Sequence, residues 1–238
     1  MGDLATYSLV DFFPIGREVY LRMFVRLNES VWPAQFLAVI LGVAALALPF
    51  HLGARTASPL PSLRSSTRGR LIATILAAAW ISVGWCFFLD LYANLNWVAT
   101  YVGWAFVTQG ALLLAAGLLG RLDPPDDQPH AAPARAGLAL ATFGVALFPL
   151  LGPLTGRSWS GVELVGLAPD PTVIATLGLL LTANRARWYL LPVPLLWCAA
   201  AGATGWVMGT PGGLVTAGCG LLATLLALWR VVSLRGRG

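Results

Sequence analysis

The chain has 238 residues, of which 58% are hydrophobic and only 11% are charged, and its mean hydropathy is +0.76. A water-soluble domain carries about a quarter charged residues, so this composition excludes an ordinary soluble protein. The net charge of +5 comes from arginine alone, because the chain contains no lysine. The arginines lie between apolar runs, which indicates membrane-flanking loops and argues against a nucleic-acid partner.

The first predicted element is an amphipathic helix that precedes the apolar runs. Its apolar face carries Tyr20, Phe24, Leu27 and Val31, and its polar face carries Glu18, Arg22, Arg26 and Glu29. Glu18 and Arg22 are four residues apart, which favours an ion pair on one helix face. Such a helix is expected to lie along the membrane surface.

Seven apolar segments follow, and each is predicted to be a membrane span. A helix needs roughly 20 apolar residues to cross a hydrocarbon core about 30 Å thick. The predicted spans are residues 32–52, 71–93, 97–120, 137–152, 171–184, 189–208 and 212–231. The fold class is therefore an all-α integral membrane helix bundle, with residues 1–238 as a single transmembrane domain. The fourth and fifth segments reach only roughly 21–24 Å at helical rise, so one of the two is expected to be broken or re-entrant.

The arginines predict the orientation of the bundle. Eleven of them follow or end the odd-numbered segments, namely Arg55, Arg64, Arg68, Arg70, Arg121, Arg135, Arg185, Arg187, Arg230, Arg235 and Arg237. Four lie on the other side, namely Arg17, Arg22, Arg26 and Arg157. The positive-inside rule therefore places the N-terminus outside the inner (plasma) membrane and the C-terminus in the cytoplasm.

Polar residues near the outer ends of the segments are the candidates for a functional site. Ionisable side chains at membrane depth cost several kcal/mol, so they usually face the protein interior or water. The candidate binding residues are Glu29, Gln35, Asp90, Asn94, Asn96, Tyr101 and Asp170. We expect them to line one cavity open to the outer side, with Asp90 directed into the bundle along a small, polar face shared with Ala79, Ser82 and Cys86.

Each of these residues also has a structural interpretation. The aromatic rings are typical of interfacial anchors, the asparagines of turns, and the carboxylates of ion pairs with nearby arginines. Asp170 fits the N-cap of a helix that begins at Pro171. On the sixth segment, Gly202 and Gly205 are expected to let another helix approach closely.

Several kinds of chemistry are excluded or unsupported. Without lysine there is no amine for a retinal Schiff base, which excludes a conventional rhodopsin. The three cysteines, Cys86, Cys198 and Cys219, lie singly in apolar runs without the paired spacing of a metal site. The sequence predicts no catalytic residue and indicates no cofactor, so an enzyme is the least favoured class.

Three stretches resemble a bacterial multi-pass membrane family of unknown function. They are Asn28-Glu-Ser-Val-Trp-Pro-Ala-Gln35, Asn96-Trp-Val-Ala-Thr-Tyr101 and Pro171-Thr-Val-Ile-Ala-Thr-Leu-Gly178, and Trp32 to Gln35 is the most distinctive piece. The resemblance implies a membrane fold but no activity and no catalytic residue. Members of the family often carry Cys-Pro where this chain has Asp170-Pro171, so a thiol-based role does not transfer.

Two function classes therefore stay open. The first is a protein that binds or transports a small polar or cationic solute through an outward-facing polar cavity. The second is a non-catalytic subunit or assembly factor of a membrane complex, in which the same residues brace helices. Its partners would be other membrane proteins or a second copy of the chain, in addition to the lipid bilayer.

Overall fold

The computed structural model describes residues 16–49, 61–122, 132–183 and 187–235, without the side chains of residues 61–66 and 232–235. All regular structure in these ranges is helical, which confirms the all-α fold class for them. The helices are α1 (Arg17–Ser30), α2 (Ala34–Ala47), α3 (Pro61–Ser82), α4 (Val98–Leu118), α5 (Ala132–Thr142), α6 (Phe148–Leu154), α7 (Pro169–Thr182), α8 (Pro192–Met208) and α9 (Pro211–Arg235). Short 3-10 turns lie at Tyr92–Asn94, Trp159–Gly161 and Trp188–Leu190.

Helix α1 has the predicted amphipathic character. Phe24 and Leu27 are buried against the rest of the protein, whereas Arg26 is exposed. The predicted pair is present on the exposed face, where an Arg22 nitrogen lies 3.6 Å from a Glu18 carboxylate oxygen. The amphipathic helix is therefore confirmed, and its position along a membrane surface stays a prediction.

A sharp elbow joins α1 to α2. The two helix axes differ in direction by 97°, and the chain turns at Val31–Pro33, where proline cannot donate the backbone hydrogen bond that a continuous helix needs. Helix α2 occupies most of the first predicted span, whose last residues, 50–52, lie outside the described ranges. This elbow sets one wall of the candidate site.

Four helical stretches are long and apolar enough to cross a membrane. They are Thr67–Asn94, Val98–Leu118, Ala132–Leu154 and Pro211–Val231, and the bent α1–α2 pair is a fifth if it forms one span. Large apolar side chains such as Leu221 and Leu225 on α9 and Trp206 on α8 are exposed, as expected for surfaces in contact with lipid. The described helices thus support four or five spans, and the count of seven stays a prediction.

The expected shortness of the fourth span is wrong. Helix α5 begins at Ala132, earlier than predicted, and continues through a π-helical turn, Phe143–Leu147, into α6. The combined stretch has 23 residues and passes the length and hydropathy requirement for a span. Pro149 and Pro153 do not end it, because Pro149 stands in the first turn of α6 and Pro153 near its end.

Helix α7, which lies within the predicted fifth span, is a fully buried helix. Every residue from Pro169 to Thr182 is buried, while its 14 residues span only about 21 Å. It packs against α5, α8 and α9, and the indole N–H of Trp80 donates a hydrogen bond to the Thr176 hydroxyl at 2.8 Å. Helix α7 is therefore surrounded by protein. Residue 184 of the predicted span lies outside the described ranges.

The expectation that Asp90 points into the bundle is wrong. Helix α3 continues as a π-helical segment, Val83–Leu91, in which residues bond five positions apart and a four-residue spacing no longer follows one face. Phe87 and Phe88 turn into the core, and Asp90 is exposed.

Glycines allow the closest helix contacts, as predicted for Gly202 and Gly205. A Cβ atom on Gly202 would lie 2.7 Å from the Cβ of Ala217, and one on Gly205 would lie 2.9 Å from the amide nitrogen of Leu214. Helices α8 and α9 therefore approach each other at a distance that only glycine permits.

A matched pair of substitutions on α9 tests this packing. A Cβ on Gly213 would collide with the Ala201 carbonyl of α8, whereas one on Gly218 would meet nothing within 4 Å. We expect Gly213→Ala to lower the free energy of unfolding by about 1–3 kcal/mol through overpacking, and Gly218→Ala to leave it unchanged or slightly higher. Thermal unfolding of both purified variants in detergent measures the difference. Equal stabilities would contradict the close α8–α9 contact.

Candidate functional site

An open cavity beside polar side chains lies in the elbow between α1 and α2. This cavity, the elbow cleft, has a volume of about 550 Å³ and faces the 3-10 turn Trp159–Gly161. It is lined by Asn28, Glu29, Trp32, Gln35, Trp159, Ser160, Val162 and Leu164. Its volume falls within the range of about 300–1,000 Å³ that is typical of small-molecule sites.

The side chains of the elbow cleft offer negative charge and aromatic faces. The Glu29 carboxylate is exposed and makes no hydrogen bond or ion pair with any described residue. The indole rings of Trp32 and Trp159 are 65% and 68% exposed, and Trp32 is held edge-on against Phe36 with ring centroids 5.3 Å apart. No basic side chain stands among the lining residues. The cleft is therefore complementary to a positively charged group.

Gln35 adds an acceptor atom beside these groups. Its amide nitrogen donates to the backbone carbonyl of Asn28, which fixes the orientation of the side chain across the elbow. Its Oε1 atom is buried and has no hydrogen-bond partner among the described residues. A buried acceptor without a partner costs about 1–3 kcal/mol, and this oxygen is not exposed to the open space of the cleft.

Helix α1 is tied to the far wall of the cleft through Asn28. Its Nδ2 atom donates to the carbonyl oxygens of Ser160 at 2.8 Å and Val162 at 2.9 Å. Both acceptors belong to the segment that carries Trp159. These two bonds therefore fix the distance between the elbow and the turn that face each other across the cleft.

A buried ion pair supports the same turn from inside the protein. An Arg157 nitrogen lies 2.6 Å from a Glu163 carboxylate oxygen, and the two side chains are 19% and 10% exposed. Arg157 also donates to the Gly161 carbonyl at 3.1 Å, and its guanidinium lies 5.5 Å from the centre of the Phe24 ring on α1. Burial raises the pKa of Glu163, and the charge of Arg157 opposes that rise. Arg157 therefore favours the ionised form of this carboxylate.

Asp170 lies in this buried region and not in the elbow cleft. Helix α7 begins at Pro169 with Ala168 as its N-cap, so the predicted cap at Asp170 is wrong. The Asp170 carboxylate instead accepts a hydrogen bond from the Trp197 indole at 2.8 Å, because Trp197 is oriented by ring contacts to Phe88 and Phe106. Asp170 thereby joins α7 to α8.

The remaining predicted residues lie elsewhere. Asn94 donates to the backbone carbonyl of Asp90, and Asn96 accepts from the amide of Val98 at the start of α4, which are turn and cap roles. Tyr101 is 68% exposed and contacts the ring of Trp97. The structure thus brings Glu29 and Gln35 together in the cleft, places Asp170 in the buried region, and does not bring Asp90, Asn94, Asn96 or Tyr101 to either place.

The ion pair was not predicted from the sequence, although a signal for it exists. Arg157 and Glu163 are the only charged residues between Leu154 and Ala168, and they have opposite sign. Two opposite charges in a short segment flanked by apolar runs are expected to pair when that segment is buried. Trp159 is only two residues from Arg157, so the same pairing would also indicate Trp159 as a residue of this site.

These features define a class of protein in which the described regular structure is all helical, several apolar helices are long enough to span a membrane, and an acidic, aromatic cleft lies at one elbow. The chain belongs to the DUF6064 family, a family of unknown function whose model matches residues 17–236. No curated protein matches the chain, and no solved structure matches it.

Two ion pairs among the described residues, one buried and one exposed, provide a test of the site's architecture. We expect Glu163→Gln to lower the free energy of unfolding by about 3–5 kcal/mol, because it leaves the Arg157 charge buried without its partner. Glu18→Gln removes the exposed partner of Arg22 and should change stability little, because solvent screens that pair. Thermal unfolding of the two variants measures the contrast. Similar small losses in both would contradict a structural role for the buried pair.

Proposed function

We propose that this protein is an integral plasma-membrane protein that binds a small organic cation in the elbow cleft, on the outer side of the membrane. The observation that carries the proposal is that Glu29, Trp32 and Trp159 share one open cavity in which no basic residue is a lining residue. The arginine distribution supports the outer location, because it predicts an N-terminus outside and a C-terminus in the cytoplasm.

Cation recognition follows from the chemistry of the lining. A cation over the face of an indole ring gains about 0.5–2 kcal/mol, and more when it is desolvated. Glu29 supplies the opposite charge in the same cavity. A primary or methylated ammonium group fits both kinds of contact, whereas an anion would meet the Glu29 carboxylate unfavourably.

The tryptophans also fit the role of membrane-interface anchors, and binding measurements separate the two roles. Anchoring requires the rings alone, so it does not depend on the charge of Glu29. Cation binding requires the rings and the carboxylate together. Uptake of the bound cation into vesicles that contain the protein would extend the proposal from binding to transport. Stable copurification of a membrane-protein partner through this cleft would favour the subunit or assembly role instead.

Calorimetric titration of the purified protein with tetramethylammonium and choline tests the proposal. We expect saturable binding that Glu29→Gln weakens about tenfold, which corresponds to about 1.4 kcal/mol. Asp90→Asn is the matched control, because Asp90 is also an exposed carboxylate but lies outside the cleft. This variant should bind both cations with the same affinity as the unaltered protein.

Two results would overturn the proposal. One is the absence of saturable binding of either cation to folded protein. The other is an equal loss of affinity in Glu29→Gln and Asp90→Asn, which would show that general surface charge and not the cleft attracts the cation. Trp159→Leu keeps an apolar side chain and removes the indole face. Unchanged cation affinity in that variant would show that the indole ring of Trp159 does not contribute to binding.

A further inference from the structure

A group of polar side chains lies inside the protein, around the first turn of α7. Asp170 stands at its centre and is only 4% exposed. The titratable groups that interact with it electrostatically are Tyr20 from α1, Arg157 and Glu163 from the segment before α7, and Cys198 from α8. We call these residues, together with Trp197 and Thr216, the buried polar cluster. Its members come from several parts of the chain that otherwise pack through apolar side chains.

The charges of the buried polar cluster do not balance. Glu163 and Asp170 can both carry a negative charge, whereas Arg157 is the only basic side chain of the cluster. Arg157 is paired with Glu163, with a nitrogen–oxygen distance of 2.6 Å, and no described arginine forms an ion pair with Asp170. A buried carboxylate without a counter-charge is strongly unfavourable and takes up a proton instead. Asp170 is therefore the acidic group that lacks a counter-charge.

The hydrogen bonds around Asp170 place a hydrogen on its carboxyl group. The Trp197 indole donates to Oδ1 at 2.8 Å, which suits the ionised and the protonated form equally. The Thr216 hydroxyl of α9 is a second hydrogen-bonding neighbour of the carboxyl group, but it donates its own hydrogen to the Gly212 carbonyl at 3.0 Å. A hydroxyl group has one hydrogen to donate, so Thr216 presents a lone pair to Asp170. The hydrogen between these two oxygens then belongs to Asp170.

The opening beside the cluster has no room for a larger cation. A pocket between α6 and the start of α9 borders Arg157 and Glu163 and has a volume of about 10 Å³, which admits at most one water molecule. No group of three or more histidine, cysteine or carboxylate side chains in the described ranges is placed to hold a metal ion. A proton needs no additional volume, so it fits the cluster where a metal or an organic cation does not.

We propose that Asp170 is a proton-binding site of this protein and that it holds its proton at neutral pH, on the carboxyl oxygen that faces Thr216. The protonated group accepts from Trp197 on α8 and donates to Thr216 on α9, so it joins α7 to both helices without a buried charge. Loss of the proton places a second negative charge beside Glu163, in competition for Arg157. The junction of the three helices therefore responds to pH. The site is separate from the elbow cleft and does not depend on cation binding there.

Infrared spectroscopy of the purified protein at neutral pH tests the proposal, because a protonated carboxyl group absorbs apart from an ionised one. Exposed carboxyl groups are ionised at that pH. We expect a protonated-carboxyl band in the unaltered protein, its loss in Asp170→Asn, and its retention in Asp90→Asn, whose carboxylate is exposed. Thr216→Val removes the acceptor of the proton and should shift the frequency of the band. Absence of the band from the unaltered protein would overturn the proposal, and so would a band that Asp170→Asn retains.

Thermal unfolding provides a second readout. Asparagine reproduces the shape, the donor and the acceptor of a protonated aspartate, so Asp170→Asn should unfold at the same or a higher temperature than the unaltered protein, in contrast to Glu163→Gln. The unaltered protein should also lose stability relative to Asp170→Asn as the pH rises above about 4, because the folded protein keeps a proton that the unfolded chain releases there. Failure of Asp170→Asn to fold, or a loss as large as that of Glu163→Gln, would show that Asp170 acts as an ion and would contradict the proposal.

Discussion

The buried ion pair between Arg157 and Glu163 is the constraint on which the region around the elbow cleft depends. The segment between α6 and α7 must return from the surface of the bundle to the start of a fully buried helix, and it carries a carboxylate with it. An isolated carboxylate in such surroundings costs many kcal/mol. Arg157 offsets this cost, donates to Gly161 and lies over the Phe24 ring. The Arg157 side chain thereby holds two parts of this segment together and also links the segment to α1.

This arrangement explains why the elbow cleft has a defined shape. The ion pair fixes the segment from inside, and the two hydrogen bonds of Asn28 fix it from the side of α1. Trp159 is then presented to Glu29 and Trp32 across a fixed gap. A site whose walls are already in place binds with less loss of conformational entropy. The structure of this region and the proposed cation site therefore depend on the same few contacts.

The sequence predicts those parts of the structure that depend on local pattern. Apolar segment lengths locate the helices, and small residues locate the α8–α9 contact, because both are properties of a single helix. Asp90 was misplaced because a π-helical segment changes the helical face without a clear sequence signal. The pairing of Arg157 with Glu163 depends on how the chain returns into the bundle, which periodicity does not reveal. Glu29 and Gln35 line the same cavity because they are six residues apart on either side of one bend.

Calorimetric titration of a double-mutant cycle tests most directly whether the buried ion pair shapes the elbow cleft. The cycle compares the tetramethylammonium affinity of Arg157→Gln, Glu163→Gln and the double variant, using only protein that remains folded. If the pair acts as one unit, each single variant weakens binding about tenfold and the double variant is no weaker than either one. Unchanged affinity in both single variants, or losses that simply add in the double variant, would contradict this account.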